Sequence, residues 1–191
     1  MNEFNAYLNH PDFTTLKMFF KENGTRRTYP KKSLFTRQHL IPRLAGWVEA
    51  GIFQYTHVDE DAAAHIVGFA FADEFVGDYP ALLGDIPASV SIQAVTDCTV
   101  YEIPYRDLVR YWDTDYHTQR YGRQIAKSLF SLAYRRLLES YSSPRRRYER
   151  LMRQCPTLKE TTPLRSIASY LGVTPETVSH IRRDLLKGEK P

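Results

Sequence analysis

The spacing of apolar residues changes twice along this 191-residue chain. Residues 3–22 carry apolar side chains at helical spacing, with a break expected at Pro11, and Asn23-Gly24 ends the helix. From residue 25 to 103, short β-like runs alternate with turn residues, a pattern typical of a β-barrel or β-sandwich. The predicted strands are Arg26–Tyr29, Ser33–Thr36, Leu44–Ala50, Ile52–Val58, His65–Phe71, Ser89–Ala94 and Thr99–Ile103.

Helical spacing returns at Pro104, which opens a short helix, and Asp113 or Thr114 caps a long one that runs to about Tyr141. A helix of roughly 28 residues spans about 42 Å, more than a domain of this size needs for its own core. Its apolar stripe suits a core helix that lies on the β-domain, although the length exceeds what that role needs. The stripe consists of Tyr121, Ile125, Leu129, Leu132 and Leu137 or Leu138.

The residues Ser142-Ser143-Pro144 predict a break and a hinge, because serines favour helix caps and Pro144 cannot continue the preceding helix. A helix from Arg145 to Gln154 follows, and Cys155-Pro156 ends it. Its expected buried residues are Tyr148, Leu151 and Met152.

Two short helices joined by a tight turn are predicted between Thr161 and Leu186. Gly172 can adopt a positive φ, and Thr174-Pro175 combines a good N-cap with a proline at the first helical position. This arrangement is a helix-turn-helix. The apolar positions are Leu164, Ile167, Ala168 and Leu171 in the first helix and Val178, Ile181 and Leu185 in the second.

The outward face of the second helix carries groups that can accept from cytosine, reach a purine edge or donate to phosphate. A glutamate near the helix start suits a cytosine amino group, and arginines suit phosphates. The alternative is a helical hairpin with a solvated polar face. The outward residues are Glu176, Thr177, Ser179, His180, Arg182 and Arg183.

Positive charge is concentrated in the last quarter of the chain. Residues 1–141 carry 15 Lys and Arg and 17 Asp and Glu, a net charge of −2, whereas residues 142–191 carry 11 and 5, a net charge of +6. A run of arginines is usually a solvated face, but beside a helix-turn-helix it predicts a surface that contacts phosphates. The arginines are Arg145, Arg146, Arg147, Arg150 and Arg153.

Composition narrows the class of protein further. With 42% hydrophobic and 13% aromatic residues the chain can form a folded core, and it shows neither a membrane-spanning run nor a signal peptide, so we expect a cytoplasmic protein. Cys98 and Cys155 form neither a pair nor a cluster, which predicts two reduced thiols rather than a disulfide, zinc site or iron–sulfur cluster.

The run from Ala168 to Arg182 resembles the helix-turn-helix of the Crp/Fnr transcription regulators, whose recognition helix typically reads Glu-Thr-(Val/Leu)-Ser-Arg-hydrophobic. This chain has Glu176-Thr-Val-Ser-His-Ile181, so His180 stands where the family has arginine. An imidazole cannot form the bidentate pair of a guanidinium with guanine, so the family's base preference is not expected to carry over. The base-facing candidates are Glu176, Thr177, Ser179 and His180, and the phosphate candidates are Arg182, Arg183 and the arginines from 145 to 153.

The segment 75–103 resembles the second half of a cyclic-nucleotide-binding jelly roll, in which Gly-Glu binds ribose and a later Arg-Ser/Thr binds the cyclic phosphate. Aligned without gaps, the glutamate falls on Asp78, the arginine on Ala88 and the hydroxyl residue on Ser89. Because alanine cannot pair with a phosphate, we expect no binding of cyclic AMP or cyclic GMP in the family's manner. Asp78, Tyr79 and Ser89 remain candidates for a small-molecule site, although Asp78 and Ser89 serve equally well as turn and strand-start residues.

Pattern and resemblance together predict an α+β protein of three parts. These are an N-terminal double-stranded β-helix, or jelly roll, with flanking helices in residues 1–112, a long dimerisation helix in 113–141, and an all-α helix-turn-helix domain in 142–191. The few residues after the recognition helix leave no room for a full β-hairpin wing.

The resemblance implies a bacterial transcription regulator that binds double-stranded DNA as a homodimer. Its operator would be pseudo-palindromic, with half-sites about 34 Å apart or a multiple of that distance. RNA polymerase and an unknown small-molecule effector are the further partners that it implies, with no membrane and no cofactor.

Two other classes of function compete with this one. One is a small-molecule-binding β-roll whose helix-turn-helix mediates protein contacts. The other, an enzyme, is not expected, because the sequence has neither a His/Cys/carboxylate cluster nor a recognisable Ser-His motif. His57 and His65 lack the His-x-His spacing of metal-binding jelly rolls, and no cysteine precedes Cys98 to form the oxygen-sensing cluster of fumarate-nitrate-type regulators.

Overall fold

The computed structural model describes residues 11–188, which form two compact units. The first unit extends to Ser131, and the second begins at Leu132. The division between the units therefore falls inside the long helix, while the domain bounds expected at 112/113 and 141/142 stay a prediction. The part of the first predicted helix that precedes Pro11 lies outside the described residues.

Within residues 11–188, eight strands build two antiparallel four-stranded sheets in the first unit, as a jelly roll requires. One sheet has the order β1-β8-β3-β6 and the other the order β2-β7-β4-β5. The strands are β1 (Thr25–Tyr29), β2 (Leu34–Thr36), β3 (Leu44–Ala50), β4 (Ile52–Val58), β5 (Ala64–Phe71), β6 (Phe75–Val76), β7 (Ser91–Ala94) and β8 (Cys98–Pro104).

Seven of these strands agree with the predicted ones to within two residues at each end. The pattern of the sequence does not predict β6, which has two residues, or the short helix α2 (Tyr79–Gly84). Both elements lie where Gly77, Pro80 and Gly84 indicate turns, so their signals are those of a loop.

The two sheets face each other across an apolar core. Alternate side chains of both sheets point into it, and Val48, Phe53, Ile92 and Val100 are completely buried there. A second cluster forms where α1 (Pro11–Asn23) and α3 (Tyr105–Trp112) pack against β3 and β8. The two tryptophans of the chain, Trp47 and Trp112, both belong to this second cluster.

The long helix α4 runs from Tyr116 to Ser140. Its N-cap is Asp115, whose Oδ1 accepts from the Thr118 backbone nitrogen at 2.8 Å, while the Thr118 hydroxyl accepts from the Asp115 nitrogen at 3.1 Å. The prediction of Asp113 or Thr114 as the cap is therefore wrong, because only Asp115 stands at the spacing that closes this reciprocal pair.

The predicted apolar stripe of α4 is partly buried in its first half and exposed towards its end. Ile125 packs against the aromatic cluster of the first unit, and Ser128 is buried, so this side covers the roll. Leu137 and Leu138, near the end of the helix, are exposed. The exposed large apolar residues at and beyond the middle of the helix recur at helical spacing and are Phe130, Tyr134, Leu137, Leu138 and Tyr141.

The second unit contains α5 (Pro144–Gln154), the one-turn helix α6 (Leu158–Thr161), α7 (Leu164–Leu171) and α8 (Pro175–Gly188). The predicted boundaries of α5, α7 and α8 agree with these, whereas the sequence pattern does not predict α6. Gly172 has φ 63° and ψ 40°, the left-handed conformation expected for the turn between α7 and α8. The core residues are Tyr148, Leu151, Cys155, Leu158, Ile167, Ala168, Leu171, Val178 and Ile181.

Candidate functional site

The start of α8 is fixed by a hydroxyl cap. The Thr174 hydroxyl accepts from the Thr177 backbone nitrogen at 3.3 Å and lies 3.2 Å from the Thr177 hydroxyl, as the sequence predicts for an N-cap. Val178 and Ile181 point into the core, which turns the opposite face of the helix to solvent. The Thr177 hydroxyl is thus engaged by the cap, and its side chain is half-buried.

Four of the six predicted outward residues share one concave surface. Glu176, Ser179, His180 and Arg183 are exposed on α8, and with Leu164 and Pro175 they line a groove of about 330 Å³. Acceptors lie at the helix start and donors one turn further along. This is the arrangement of side chains that a major-groove reader needs.

The carboxyl group of Glu176 folds back on the helix start. Its own backbone N–H and then the Thr174 hydroxyl lower the pKa of this carboxyl group, because both donate to the charged form. Glu176 is therefore a carboxylate, an acceptor only, at neutral pH.

Arg182 does not share the exposed face. Its Nε donates to the Tyr148 hydroxyl of α5 at 2.9 Å, its guanidinium carbon lies 5.7 Å from the Tyr148 ring centre, and its Nη2 is buried with no hydrogen-bond partner. The side chain thus joins α8 to α5 inside the unit. Its predicted role as a phosphate contact stays a prediction.

The arginines at the start of α5 differ in their surroundings. Arg145 pairs with Glu149 at 2.9 Å, Arg146 is exposed, and Arg147 is half-buried with its Nε inaccessible to solvent. Arg146 is therefore the most accessible of the three predicted phosphate contacts. Further along α5, Arg150 binds Glu139 at 2.6 Å and is partly neutralised by it.

In the roll, Asp78 and Ser89 are joined directly. Asp78 Oδ2 accepts from the Ser89 backbone nitrogen at 3.0 Å and from the Ser89 hydroxyl at 3.2 Å, while Oδ1 caps α2 at the Ala81 nitrogen. Asp78 is 5% exposed and Ala88 1% exposed. The residues at the predicted ribose and phosphate positions therefore satisfy each other.

Tyr79, the third predicted ligand residue, packs elsewhere. Its hydroxyl donates to the Gly122 carbonyl of α4 at 3.2 Å, and its ring meets Trp112 edge to face. Burial, and then the neighbouring Tyr105, raise the pKa of Tyr79 to about 12. Tyr79 thus links α2 to α4.

Two residues outside the predicted ligand site complete the surroundings of Ser89. His57 Nδ1 donates to the Ser89 carbonyl at 2.8 Å, and the Gln38 amide exchanges hydrogen bonds with the Val58 backbone at 2.8 and 2.9 Å. His65, which pairs with Asp59 at 2.7 Å, lies on the hairpin instead. No local signal marks Gln38, because only the pairing of distant segments brings it to this place.

The residues that the structure describes hold no candidate metal centre. Among them, no three His, Cys, Asp or Glu side chains meet as a set of metal ligands. Within the same residues, none of the helices has both the length and the apolar character that a membrane span needs. Cys98 and Cys155 are both free and buried.

Comparison with known families relates the roll to one class of domain. Residues 26–115 match the family model described as a cyclic nucleotide-binding domain. The match covers the strands β1 to β8 except the first residue of β1, and it includes Asp78 and Ser89. No curated protein sequence matches the chain.

Several solved structures share the fold over both units. FixK2 from Bradyrhizobium japonicum is 18% identical, covers 86% of this chain and 85% of its own, and superposes with a TM-score of 0.73. The c-di-GMP-responsive global regulator CLP of Xanthomonas campestris is 18% identical over 92% of each chain, with a TM-score of 0.66. The catabolite activator protein of Thermus thermophilus is 18% identical over 95% and 87%, with a TM-score of 0.51. The chain thus shares its fold with these solved structures over both of its units.

Proposed function

We propose that this protein is a sequence-specific transcription regulator of the Crp/Fnr type, which binds double-stranded DNA as a homodimer and does not respond to cyclic AMP. The observation that carries the proposal is the exposed groove on α8, where Glu176, Ser179, His180 and Arg183 lie together. Glu176 accepts from a cytosine amino group, and the other three side chains donate to base edges or phosphates.

Charge supports a nucleic-acid partner. The segment 142–191 carries a net charge of +6, and the exposed Arg146 lies at the start of α5 in the same unit. Such a surface attracts the phosphate backbone from any sequence, and the groove on α8 then selects among sequences.

The exposed face of α4 supports a two-fold dimer. Leu137, Leu138 and Tyr141 are all more than half exposed, and Tyr141 follows the two leucines at spacings of four and three. Monomeric proteins seldom leave such a stripe uncovered, and an identical helix is a self-complementary partner for it. Two recognition helices related by this axis read a pseudo-palindrome.

The bond between Asp78 and Ser89 supports a roll that does not bind cyclic nucleotides. A bound cyclic phosphate would need the two Ser89 donors that Asp78 already occupies, and its charge would lie beside a buried carboxylate. No cation replaces the family's arginine, because Ala88 stands at that position. We expect neither cyclic AMP nor cyclic GMP to bind at micromolar concentration in calorimetry, and a micromolar dissociation constant would contradict this part of the proposal.

Selection of bound sequences from a random duplex pool tests the regulator function. The purified protein and Glu176→Ala are compared at two salt concentrations, and the expected result is an enriched palindrome whose preference relaxes at one base pair per half-site in the variant. Binding that enriches no sequence and fades with salt would mean non-specific affinity from the arginines, and it would contradict sequence-specific reading.

A further inference from the structure

His180 and Arg183 are in direct contact on α8. Arg183 Nη2 lies 3.2 Å from His180 Nδ1, and both side chains are exposed in the groove that also contains Glu176. Residues three apart on a helix are neighbours on its surface, so the backbone itself brings the two groups together.

The chemistry of this contact determines which ring nitrogen of His180 carries the hydrogen. A guanidinium has five N–H donors and no acceptor, so His180 Nδ1 must be the acceptor. In an imidazole that accepts at Nδ1, the N–H lies on Nε2. His180 therefore presents a single N–H donor from Nε2, next to the remaining N–H groups of Arg183.

We propose that His180 and Arg183 read one base together, with Arg183 holding the imidazole as the Nε2–H tautomer and His180 donating that hydrogen to guanine. This inference rests on the proposed DNA-binding function and assigns the two residues a shared specificity. It also replaces two expectations. Arg183 positions the imidazole and supplies the second donor instead of contacting a phosphate, and the pair prefers guanine, which His180 alone is not expected to do.

Guanine is the base whose edge suits a pair of donors. In the major groove it presents two acceptors, O6 and N7, whereas adenine and cytosine each present an amino group that would oppose a donor. Glu176 lies one helical turn before His180, about 6 Å along the axis. Its carboxylate accepts from a cytosine amino group, so the groove combines an acceptor for cytosine with donors for guanine.

Random-duplex selection with three matched variants separates the possible roles. His180→Gln keeps a donor and adds an acceptor, so its preference should move from guanine to adenine at one base pair per half-site. Arg183→Met keeps the stem but frees the imidazole, and it should reduce the preference for guanine at that same base pair about fivefold or more. Arg146→Met makes the same substitution at an exposed arginine of α5, and it should weaken all sequences alike.

A second measurement does not depend on DNA. Nitrogen-15 chemical shifts of the imidazole rings in the free full-length protein report the tautomer of His180, whose signals are assigned by their disappearance in His180→Gln. We expect the Nε2–H form in the native protein and a shift towards a mixture of tautomers in Arg183→Met.

The outcomes are distinct. An Arg183→Met variant that weakens all sequences alike, as Arg146→Met does, would overturn the inference and make Arg183 a phosphate contact. An Nδ1–H tautomer in the native protein would overturn it as well. A native protein that enriches no sequence would contradict the proposed function, while the nitrogen shifts would still decide whether Arg183 holds His180.

Discussion

Asp78 Oδ2 accepts both hydrogen bonds that Ser89 can donate, at 3.0 Å from the backbone nitrogen and 3.2 Å from the hydroxyl. A carboxylate that is 5% exposed is tolerated in a protein interior only when such donors surround it. The same bonds join the start of α2 to the segment before β7, so they contribute to the stability of the roll as well as closing the site.

Replacing Asp78 by Ala should lower the free energy of unfolding of the first unit by about 1–3 kcal/mol, because the Ser89 nitrogen loses its acceptor and α2 its cap. Asp78→Asn, which keeps one acceptor oxygen, should cost less. Urea unfolding followed by tryptophan fluorescence measures this unit alone, since Trp47 and Trp112 both belong to it. Equal stability of the native protein and Asp78→Ala would show that the hydrogen bonds of Asp78 contribute little.

A charge on the exposed face of α4 should break the dimer. Leu137 is 57% exposed, and Leu137→Glu places a carboxylate in the proposed seam, where it would be desolvated without a partner. Sedimentation velocity should then give a monomer at concentrations where the native protein is a dimer. Leu83→Glu is the matched control, because Leu83 is 55% exposed on α2 and should leave the dimer intact. If Leu137→Glu and Leu83→Glu both sediment as dimers, Leu137 does not lie in the dimer interface.

Arg182 and Arg146 should respond differently to the same substitution. Arg182→Met removes the hydrogen bond to Tyr148, so thermal unfolding of the second unit, followed by circular dichroism, should begin at a lower temperature. Arg146→Met should leave the unfolding temperature unchanged and reduce the salt slope of DNA affinity by about one, because it removes one cation from the phosphate backbone. If instead Arg182→Met reduced the salt slope and Arg146→Met lowered the unfolding temperature, Arg182 would be the phosphate ligand.

The free-energy cost of replacing Gly172 should depend on its backbone conformation alone. A Cβ atom at this position meets nothing within 4 Å, so the cost of Gly172→Ala comes from the left-handed φ of 63°. We expect about 1 kcal/mol of destabilisation. Asparagine adopts this conformation more readily, so Gly172→Asn should be destabilised less in the same thermal unfolding experiment. A larger destabilisation by asparagine than by alanine would contradict this explanation.

Local signals predict most of the fold. The strands β3 and β4 agree with the structure residue for residue, because two apolar runs with the turn at Gly51 between them define their ends. The cap at Thr174 and the left-handed Gly172 are equally predictable, since each depends on residues within one turn of a helix.

Features that depend on distant partners are not predictable from the sequence. In the helix α4, Ile125 packs against the aromatic cluster whereas Leu137 is exposed, and the spacing of the stripe does not tell where its covered part ends. A charge such as that of Arg182 suits a surface, but Tyr148, 34 positions away, holds this side chain inside the unit. The sequence gives His57 no role, because it lacks the spacing of a metal ligand, and the contact of His57 with Ser89 depends on sheet pairing.

Two neighbouring residues near the start of α2 connect this helix to two different parts of the first unit. Asp78 accepts a hydrogen bond from the Ser89 nitrogen, and the Tyr79 hydroxyl donates one to the Gly122 carbonyl of α4. Any redesign that reshapes this turn to admit a new ligand would therefore pull on α4 at the same time.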